Sequence, residues 1–297
     1  MSSSTESVSV ILPAKNEAAN LRVLLPRLRT ILGGLGREAE IIVVDDGSHD
    51  DTRELCEAGG AQVVSHPYSS GNGAAVKTGA RAARGEVLVF MDADGQHEPE
   101  LIPELLAKLD SGYDMVVGAR RAAHHAGLHR LAANGFYNWL ASWMVGQPVL
   151  DLTSGLRAVR AAKFRRFLYL LPNGFSYPTT ITMSFFRSGY PVAYLPVVVK
   201  KRGGEGGSHV RIVRDGVRFM VIIFKIGTLY SPLKLFLPIS MTFFLTGLGY
   251  YLYTYMTTSR FTNMSALLFI TSVLIFLIGL VSEQITLLNF KDTDGTR

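Results

Sequence analysis

The stretch "LVFMDADGQHEP", residues 88–99, decides the fold of the first part of the chain. Its first four residues are apolar, which predicts a strand buried on both faces, as in a parallel sheet. Asp92 and Asp94 follow at positions i and i+2, so in an extended chain their carboxylates point the same way and repel unless a cation lies between them. Such oxygen ligands suit Mg²⁺ or Mn²⁺ shared with substrate phosphates. The stretch therefore predicts a strand ending in a metal site, with an ordinary Asp–Gly turn as the alternative.

Residues 8–120 alternate between strand and helix patterns. The apolar, β-branched segments are "VSVILPA" (8–14), "EIIVVDD" (40–46), "AQVVSH" (61–66), "EVLVFMD" (86–92) and "DMVVGA" (114–119). Helix-like stretches such as Glu17–Leu32 and Gly73–Ala83 separate them. This order predicts an α/β fold with a mostly parallel, doubly wound sheet.

Polar residues follow four of these strands. They are Pro13, Asn16 and Glu17 after the first, Asp45 and Asp46 after the second, Asp92, Asp94 and Gln96 after the fourth, and Arg120 and Arg121 after the fifth. Parallel strands end at one edge of a sheet, so we expect acids, an amide and a basic wall to share one site. A single motif such as "DDGSHDDT" would also be explained by a helix cap.

Composition restricts the class of protein. The chain has 297 residues, a formal charge of +6 and one cysteine, Cys56. No basic run with interleaved aromatic residues indicates a nucleic-acid groove, so no nucleic-acid partner is expected. A lone cysteine excludes an intrachain disulfide and fits a reducing compartment. The N-terminus lacks the basic and apolar regions of a signal peptide, so we expect the first domain to stay where it is made.

Two apolar segments predict a transmembrane hairpin. Between Lys234 and Arg260 lie 25 uncharged residues, and between Arg260 and Glu283 lie 22 more. Each is long enough to cross a bilayer as a helix, although a buried helical pair would be the alternative. Basic residues flank both outer ends, which places these ends and the first domain in the cytoplasm by the positive-inside rule. We therefore expect a multi-pass protein of the inner, cytoplasmic membrane.

The domain plan follows from these patterns. We expect a catalytic domain over 1–209, amphipathic juxtamembrane helices over 210–232, a hairpin over 233–290 with spans at about 235–257 and 262–286, and a cytoplasmic tail over 291–297. Arg211, Arg214 and Arg218 recur at helical spacing, which suits a helix in the membrane interface. An amphipathic helix packed on protein would show the same spacing.

The motifs together resemble a known family. "VILPAKNE" (10–17), "IIVVDDGSHDDT" (41–52), "GNGAAVKTGARAARGEVLVFMDADGQHEP" (71–99), "VVGARR" (116–121) and "DLTSGLRAV" (151–159) are similar to inverting glycosyltransferases of the Rossmann-like GT-A fold. The similarity covers about residues 7–205. It is strongest to the polyprenyl-phosphate glycosyltransferases of the dolichyl-phosphate mannose synthase type, and the hairpin resembles bacterial members that use undecaprenyl phosphate.

The resemblance implies a role for each motif. The donor nucleotide would be held by Pro13, Ala14, Asn16, Glu17, Asp45, Asp46, Gly73, Asp92 and Ala93. Asp92, Asp94 and Gln96 would bind Mg²⁺ or Mn²⁺, with His97 as a structural neighbour. The lipid phosphate or diphosphate would be held by Arg120, Arg130, Asn134, Ser154 and Arg202. Asp94 and Asp151 are the catalytic candidates, with Asp151 either orienting the acceptor or acting as a base.

Simpler roles would account for some of these residues. The arginines would also be explained as solvated surface charges, and Asp151 or Ser154 as a cap for the following turn. A phosphate monoester is already anionic at neutral pH, so a base is not strictly required. Thr179, Thr180 and Thr182 stand near a position where relatives often have an acid, and Ser208-His209 stands where many have Ser-Lys. These departures bear on the identity of the sugar.

The expected function is transfer of one sugar, with inversion, from a UDP- or GDP-sugar to undecaprenyl or dolichyl phosphate at the cytoplasmic membrane face. The expected partners are the nucleotide sugar, the polyprenyl phosphate, the lipid bilayer and further copies of the chain, for which the resemblance suggests a tetramer. A processive polysaccharide synthase and a non-catalytic membrane scaffold of the same fold are the alternatives. The Gln-x-x-Arg-Trp motif of processive synthases is absent from the sequence, whereas both acidic motifs are present.

Overall fold

A computed structural model describes residues 6–120, 128–174, 177–198 and 227–291, with only the backbone described for 128–134 and 289–291. The chain divides into two compact units. The first comprises residues 1–142 and 147–209, and the second comprises residues 143–146 and 210–297. Most of the predicted juxtamembrane segment, with Arg211, Arg214 and Arg218, lies outside the described residues.

The first unit is built on a seven-stranded sheet. Its strands are β1 (Val8–Ala14), β2 (Ala39–Asp45), β3 (Gln62–Ser65), β4 (Val87–Phe90), β5 (Met115–Arg120), β6 (Arg157–Arg160) and β7 (Val192–Val197). They lie in the order β3-β2-β1-β4-β6-β5-β7. All five predicted strands are confirmed. The sheet is parallel except for β6, which pairs antiparallel with both β4 and β5.

Seven helices of the described chain connect or follow these strands. They are α1 (Ala18–Gly33), α2 (Thr52–Ala58), α3 (Asn72–Ala82), α4 (Ile102–Asp110), α5 (Leu128–Val145), α6 (Ala161–Arg165) and α7 (Tyr177–Arg187). A single 3₁₀ turn, Pro99–Leu101, precedes α4. The predicted helices at 17–32 and 73–83 correspond to α1 and α3.

The central strands are buried on both faces, which explains their continuous apolar sequences. On one face, Val10 and Leu12 of β1 pack in a cluster with Leu21 and Leu28 of α1. On the other face, α3 lies so close that a Cβ at Gly79 would stand 2.4 Å from Ile11 Cγ2. A glycine is therefore needed at position 79, because any side chain there would push α3 away from the sheet.

The second unit contains a helical hairpin, α8 (Pro232–Thr258) and α9 (Asn263–Lys291). Both helices are long and apolar enough to cross a membrane. Ser240 and Ser272 exchange hydrogen bonds across the pair, with each hydroxyl donating to the other residue's carbonyl at 2.9 and 3.0 Å. Gly247 lies against Leu268, where a Cβ would be 3.0 Å from Leu268 Cβ. Small residues and hydroxyl pairs of this kind join helices closely in an apolar environment.

Candidate active site

The ends of β1, β2 and β4 meet at one edge of the sheet, and the end of β5 faces the same way. A cleft of about 470 Å³ opens at this edge. It is lined by Pro13, Ala14, Lys15, Glu17, Asp46, Ser69, Gly71, Asn72, Ala75, Asp92, Ala93 and Asp94. The structure thus brings together seven of the predicted site residues: Pro13, Ala14, Glu17, Asp46, Asp92, Ala93 and Asp94.

Asn16 ties the ends of β1 and β2 together. It adopts a left-handed backbone conformation with φ of 54°. Its N–H donates to Ser48 Oγ at 2.9 Å, and its Oδ1 accepts from the His49 N–H at 2.8 Å. The left-handed region is tolerated by asparagine more readily than by most residues. Asn16 therefore shapes the loop beside the cleft.

A second cavity of about 400 Å³ lies beside this loop. Asp45 is one of its lining residues, together with Lys15, Ser48, His49 and Tyr68. Asp45 Oδ1 accepts the Ser48 N–H at 2.9 Å. The predicted residue Asp45 thus lines a cavity next to the cleft, and Asn16 contacts it only through its hydrogen bonds to Ser48 and His49.

Asp46 organises the loop between β3 and α3. Its Oδ1 meets His66 Nδ1 at 2.7 Å and accepts the Ser70 N–H at 2.8 Å, while its Oδ2 accepts from Ser69 Oγ at 2.8 Å and from the Gly71 N–H at 2.9 Å. Burial alone would raise the pKa of Asp46, but these four hydrogen bonds together lower it to about 2. The carboxylate is engaged by its own loop, which makes it a structural support of the cleft wall.

Acid should therefore weaken the fold through Asp46. Its folded pKa of about 2 lies below the ordinary 3.8, so its stabilising contribution is fully present above pH 3.8 and is lost as the pH falls toward 2. We expect Asp46→Asn to lower the free energy of unfolding at neutral pH by on the order of 1–2 kcal/mol. Melting curves of both proteins across pH should converge in acid. The exposed Asp51→Asn is the control, and a difference that persists unchanged at low pH would contradict this role of the Asp46 charge.

The predicted acids follow β4 directly. Asp94 Oδ1 accepts the Gln96 N–H at 3.1 Å, and Gly95 takes a positive φ of 72°, so the Asp–Gly turn and the acid pair are both present. Burial, together with the charge of Asp94, raises the pKa of Asp92. Two neighbouring, half-buried carboxylates form a site whose repulsion a cation would relieve.

The donor set fits a metal that keeps part of its water shell. Among the described residues no group of three or more His, Cys, Asp or Glu side chains is arranged to hold a metal ion. Two carboxylates and the neutral amide of Gln96 leave coordination positions for water and phosphate, which is the usual arrangement for Mg²⁺ and Mn²⁺. His97 is buried beside the acids, and neither ring nitrogen has a hydrogen-bond partner among the residues that the structure describes. Burial lowers the pKa of His97.

Gly155 approaches the Asp92 carboxylate closely. A Cβ at position 155 would lie 2.3 Å from Asp92 Oδ2 and 3.0 Å from Oδ1. Beside this contact lies a small cavity of about 160 Å³, lined by Asn72, Asp92, Thr153, Gly155, Gly174, Tyr177, Pro178 and Thr179. The sequence did not single out Asn72, Gly155 or Tyr177, because their role depends on contacts between distant segments. Gly155 lies in the motif "DLTSGLRAV" (151–159). The glycine itself is the one feature of that motif that could indicate a close approach between two segments.

Arg120 and Asp151 form a two-armed ion pair at the end of β5. Arg120 Nε lies 2.8 Å from Asp151 Oδ2, and its second arm donates to Oδ1 at 3.0 Å. The hydrogen bond to Asp151 raises the pKa of Arg120. Burial would raise the pKa of Asp151, but Arg120 and the Thr153 N–H lower it overall. Asp151 also caps the following turn, since Oδ1 accepts the Thr153 N–H at 3.0 Å.

Arg157 is a fully buried cation that sequence analysis did not select. Its guanidinium donates to the carbonyl oxygens of Ser154 at 2.6 Å and Pro178 at 3.3 Å, and it lies 5.6 Å from the centre of the Tyr177 ring. Burial lowers its pKa. Arg157 therefore joins two segments that line the small cavity. The predicted Ser154 is buried here, and its hydroxyl has no hydrogen-bond partner in the described structure.

Four other predicted residues do not lie at the cleft or are not described. Gly73 packs against the segment before α7, where a Cβ would stand 2.1 Å from the Pro172 carbonyl oxygen, so it has a packing reason to be glycine. Its nucleotide contact stays a prediction. The side chains of Arg130 and Asn134, and all of Arg202, lie outside the described residues.

The threonines that replace an expected acid are buried in α7. Thr179 Oγ1 donates to the Leu152 carbonyl at 3.2 Å, and Thr182 Oγ1 donates to the Pro178 carbonyl at 2.8 Å. Thr179 is the one of the three that lines the small cavity. The departure from the family pattern therefore changes the chemistry of that cavity wall.

Known proteins resemble this chain in sequence. Two undecaprenyl-phosphate 4-deoxy-4-formamido-L-arabinose transferases are similar to it. The one from Klebsiella pneumoniae (strain 342) is 37% identical over 161 residues, which are 52% of this chain and 49% of that protein. The one from Shewanella sediminis is 32% identical over 184 residues, which are 57% of this chain and 55% of that protein. The chain thus spans about half the length of the curated relatives it matches.

Solved structures similar to this chain include glucosyl-3-phosphoglycerate synthases from Mycobacterium tuberculosis. A complex with Mn²⁺, UDP and phosphoglyceric acid has a TM-score of 0.59 and 26% identity, covering 73% of this chain and 78% of that one. A complex with Mn²⁺ and UDP-glucose has a TM-score of 0.57 and 26% identity, covering 73% and 79%. The GT-A fold expected from the sequence is confirmed.

Two family profiles match in order along the chain. The profile of the GtrB C-terminal hairpin matches residues 231–288, which contain α8 and most of α9. The profile of glycosyl transferase family 2 matches residues 9–169, more than half of the chain, and this match includes the strand ends that line the cleft. The chain belongs to glycosyl transferase family 2.

Proposed function

We propose that this protein transfers one sugar, with inversion, from a nucleotide sugar to a polyprenyl phosphate at a membrane surface. The observation that carries the proposal is the pair Asp92 and Asp94 in one cleft with the ends of β1 and β2, in a family 2 chain that continues into an apolar hairpin. The names of the curated relatives support undecaprenyl phosphate as the acceptor. We propose a UDP-linked donor, since the structural relatives are complexes with UDP or UDP-glucose.

Asp92, Asp94 and Gln96 are the residues that would hold a divalent cation. When bound, the cation supplies positive charge that neutralises the diphosphate leaving group. Mn²⁺ in the structural relatives supports this use of a metal, and Mg²⁺ fits the same oxygen ligands. Pro13, Ala14, Glu17 and Ala93 then line the space for the nucleotide, and Asp45 lines the adjoining cavity.

The acceptor phosphate needs positioning more than activation. An anionic phosphate oxygen forms the new bond to the anomeric carbon, while the bond from that carbon to the donor's diphosphate oxygen breaks. Arg120 holds the lipid phosphate in this proposal, because a guanidinium matches phosphate oxygens and its side chain is 41% exposed. Asp151 orients Arg120 through the two-armed ion pair and does not remove a proton.

A substitution at Asp151 separates positioning from base catalysis. We expect Asp151→Asn to raise the KM for the lipid phosphate about tenfold, the scale of one weakened ion contact, and to leave the shape of the pH–rate profile unchanged. In a double-mutant cycle with Arg120→Gln, the two losses should be far from additive. Loss of the acidic limb of the profile in Asp151→Asn would instead establish Asp151 as the base.

We further propose that the hairpin spans the inner membrane with both of its ends and the catalytic unit in the cytoplasm. The positive flanks of the hairpin support this orientation. In a Cys56→Ser background, Thr258→Cys should be labelled by an impermeant thiol reagent in intact cells, while Val23→Cys should be protected. The reverse labelling pattern would contradict the orientation.

The prediction that the chain forms a homo-oligomer is supported by the family resemblance alone.

The reaction itself is tested with the full chain in lipid nanodiscs. The protein is incubated with undecaprenyl phosphate and a panel of labelled UDP- and GDP-sugars that includes amino-deoxy pentoses and hexoses. We expect label in the lipid phase with one donor, and transfer to stop after one sugar. Growth of a polymer, or absence of transfer with every donor, would reject the proposal.

A further inference from the structure

The small cavity beside Gly155 adjoins the cleft at an acid that follows β4. Asp92 and Asn72 line both the cleft of about 470 Å³ and the cavity of about 160 Å³, so the two spaces meet at these residues. The sugar of a nucleotide-sugar donor is bonded directly to the diphosphate that a cation at Asp92 and Asp94 would hold. The sugar must therefore lie close to Asp92. At ~30 Å³ per water molecule the cavity holds about five waters, which is room for one sugar ring.

The walls of the small cavity are held in place by contacts between distant segments. The Asn173 carbonyl accepts the Ala74 N–H at 2.8 Å, and Lys77 Nζ donates to the Leu171 carbonyl at 3.0 Å. These bonds fix the segment before α7 on the beginning of α3. Buried Arg157 joins two further segments of the wall through their carbonyl oxygens. The cavity is therefore formed before a ligand binds, as most small-molecule sites are.

The lining of the small cavity is neutral except at Asp92. None of the described residues that line it is a lysine, an arginine or a histidine. Burial raises the pKa of Tyr177, so its phenol is uncharged at neutral pH. Arg120, which donates to Thr153 in this lining, is already paired with Asp151. A sugar carboxylate would therefore face Asp92 without a cation of its own, and a sugar ammonium would compete with the metal for the same carboxylate.

Thr179 gives the cavity wall a hydrogen-bond acceptor. The residue is buried, and its hydroxyl donates its one proton to the Leu152 carbonyl, with the two oxygens 3.2 Å apart. A hydroxyl that has donated its proton still has lone pairs, so Thr179 Oγ1 can accept a hydrogen bond from a group in the cavity. A hydroxyl or an amide N–H of a sugar is such a group.

We propose that the small cavity holds the donor's sugar and selects an uncharged one, with Thr179 accepting a hydrogen bond from a hydroxyl or amide group of that sugar. The inference rests on the nucleotide-sugar donor given under the proposed function and names the class of its sugar. Neutral pentoses and hexoses belong to this class, as do amino sugars whose amine is acylated. Uronic acids and sugars with a free amine are excluded, because an ionised group that leaves water needs a partner.

Matched donors test the selection by binding alone, without an acceptor lipid. The full chain in lipid nanodiscs with Mn²⁺ is titrated calorimetrically with UDP-glucose against UDP-glucuronate, with UDP-4-amino-4-deoxyglucose against its N-acetylated form, and with GDP-mannose against GDP-mannuronate. For the nucleotide that the chain prefers, we expect each neutral sugar to bind at least ~10-fold more tightly than its charged counterpart, since an unpaired charge is costly to bury. Equal affinities, or tighter binding of a charged sugar, would overturn the inference.

Substitutions at Thr179 test the hydrogen bond to the sugar. Thr179→Val removes the acceptor and keeps the shape of the side chain, so affinity for the preferred neutral donor should fall about tenfold, the scale of one hydrogen bond. Affinity for the nucleoside diphosphate alone should stay unchanged, and Thr179→Ser should restore donor affinity. The matched control is Ser184→Ala, which removes another buried α7 hydroxyl that does not line the cavity. An equal loss of affinity for donor and nucleoside diphosphate in Thr179→Val would show a structural role only and overturn the assignment.

The inference and the proposed reaction can fail separately. A preference for neutral sugars in binding, without any transfer to polyprenyl phosphate, would support the inference and reject the reaction. Transfer of a uronic acid or of a sugar with a free amine to the lipid would support the reaction and overturn the inference.

Discussion

Asp94→Asn is expected to lower sugar transfer at least ~10²-fold, the scale of removing one electrostatic stabiliser of a developing charge. The substitution keeps the size of the side chain and removes one of the two negative charges that follow β4. It thereby weakens the binding of the cation that would neutralise the diphosphate leaving group. Asp92 alone would then offer the cation one negative charge instead of two.

The experiment must measure Mn²⁺ binding as well as the rate of sugar transfer. Free Mn²⁺ measured by electron paramagnetic resonance should remain free in the presence of Asp94→Asn and become bound in the presence of the unmodified chain. Glu104→Gln, which removes an exposed carboxylate from the first turn of α4, is the matched control and should change neither quantity. Sugar transfer at an undiminished rate in the presence of EDTA would show that Asp92 and Asp94 do not act by binding a metal.

The sheet could be predicted because its strands carry their signal locally. Each predicted strand is a short apolar segment bounded by polar residues, and burial on both faces makes that segment continuous. β6 was not predicted, since "RAVR" has an arginine at each end and only two apolar residues. Its position between β4 and β5 is decided by pairing with distant strands, with Phe90 opposite Arg157 on one side and Val117 on the other. Strand propensity depends on such neighbours.

Some residues of the candidate site could likewise be predicted from a local sequence pattern, and others could not. Asp92, Asp94 and Gln96 could be selected because they follow one strand at a spacing that a simple turn does not require. The pairing of Arg120 with Asp151 joins residues 31 positions apart, so no local pattern contains it. That pairing favours an orienting role for Asp151 over the role of a base, a choice that the sequence left open. Arg157 was overlooked because a lone arginine is usually a surface charge, whereas this one is fully buried.

Gly155→Ala should disturb metal binding without touching a ligand. The added methyl group would stand 2.3 Å from Asp92 Oδ2, much closer than a carbon and an oxygen can approach. Asp92 is half-buried and its side chain is short, so the carboxylate or the 153–155 segment must move. Overpacking of this kind costs about 1–3 kcal/mol. We expect the affinity for Mn²⁺ to fall by about tenfold or more, where tenfold corresponds to ~1.4 kcal/mol, and transfer activity to fall with it.

Gly174→Ala is the matched control. It adds the same methyl group to another wall of the small cavity. Chain neighbours aside, no described atom lies within 4 Å of the added Cβ, so Mn²⁺ affinity should stay unchanged. A double-mutant cycle then tests the route of the effect. If Gly155 acts through the position of the Asp92 carboxylate, Gly155→Ala should add little to the loss already caused by Asp92→Asn, because residues in contact are coupled. Fully additive losses in Mn²⁺ affinity would mean that Gly155 affects the cavity independently of Asp92. The loop that carries Asp92 and Asp94 would then position both carboxylates without help from Gly155.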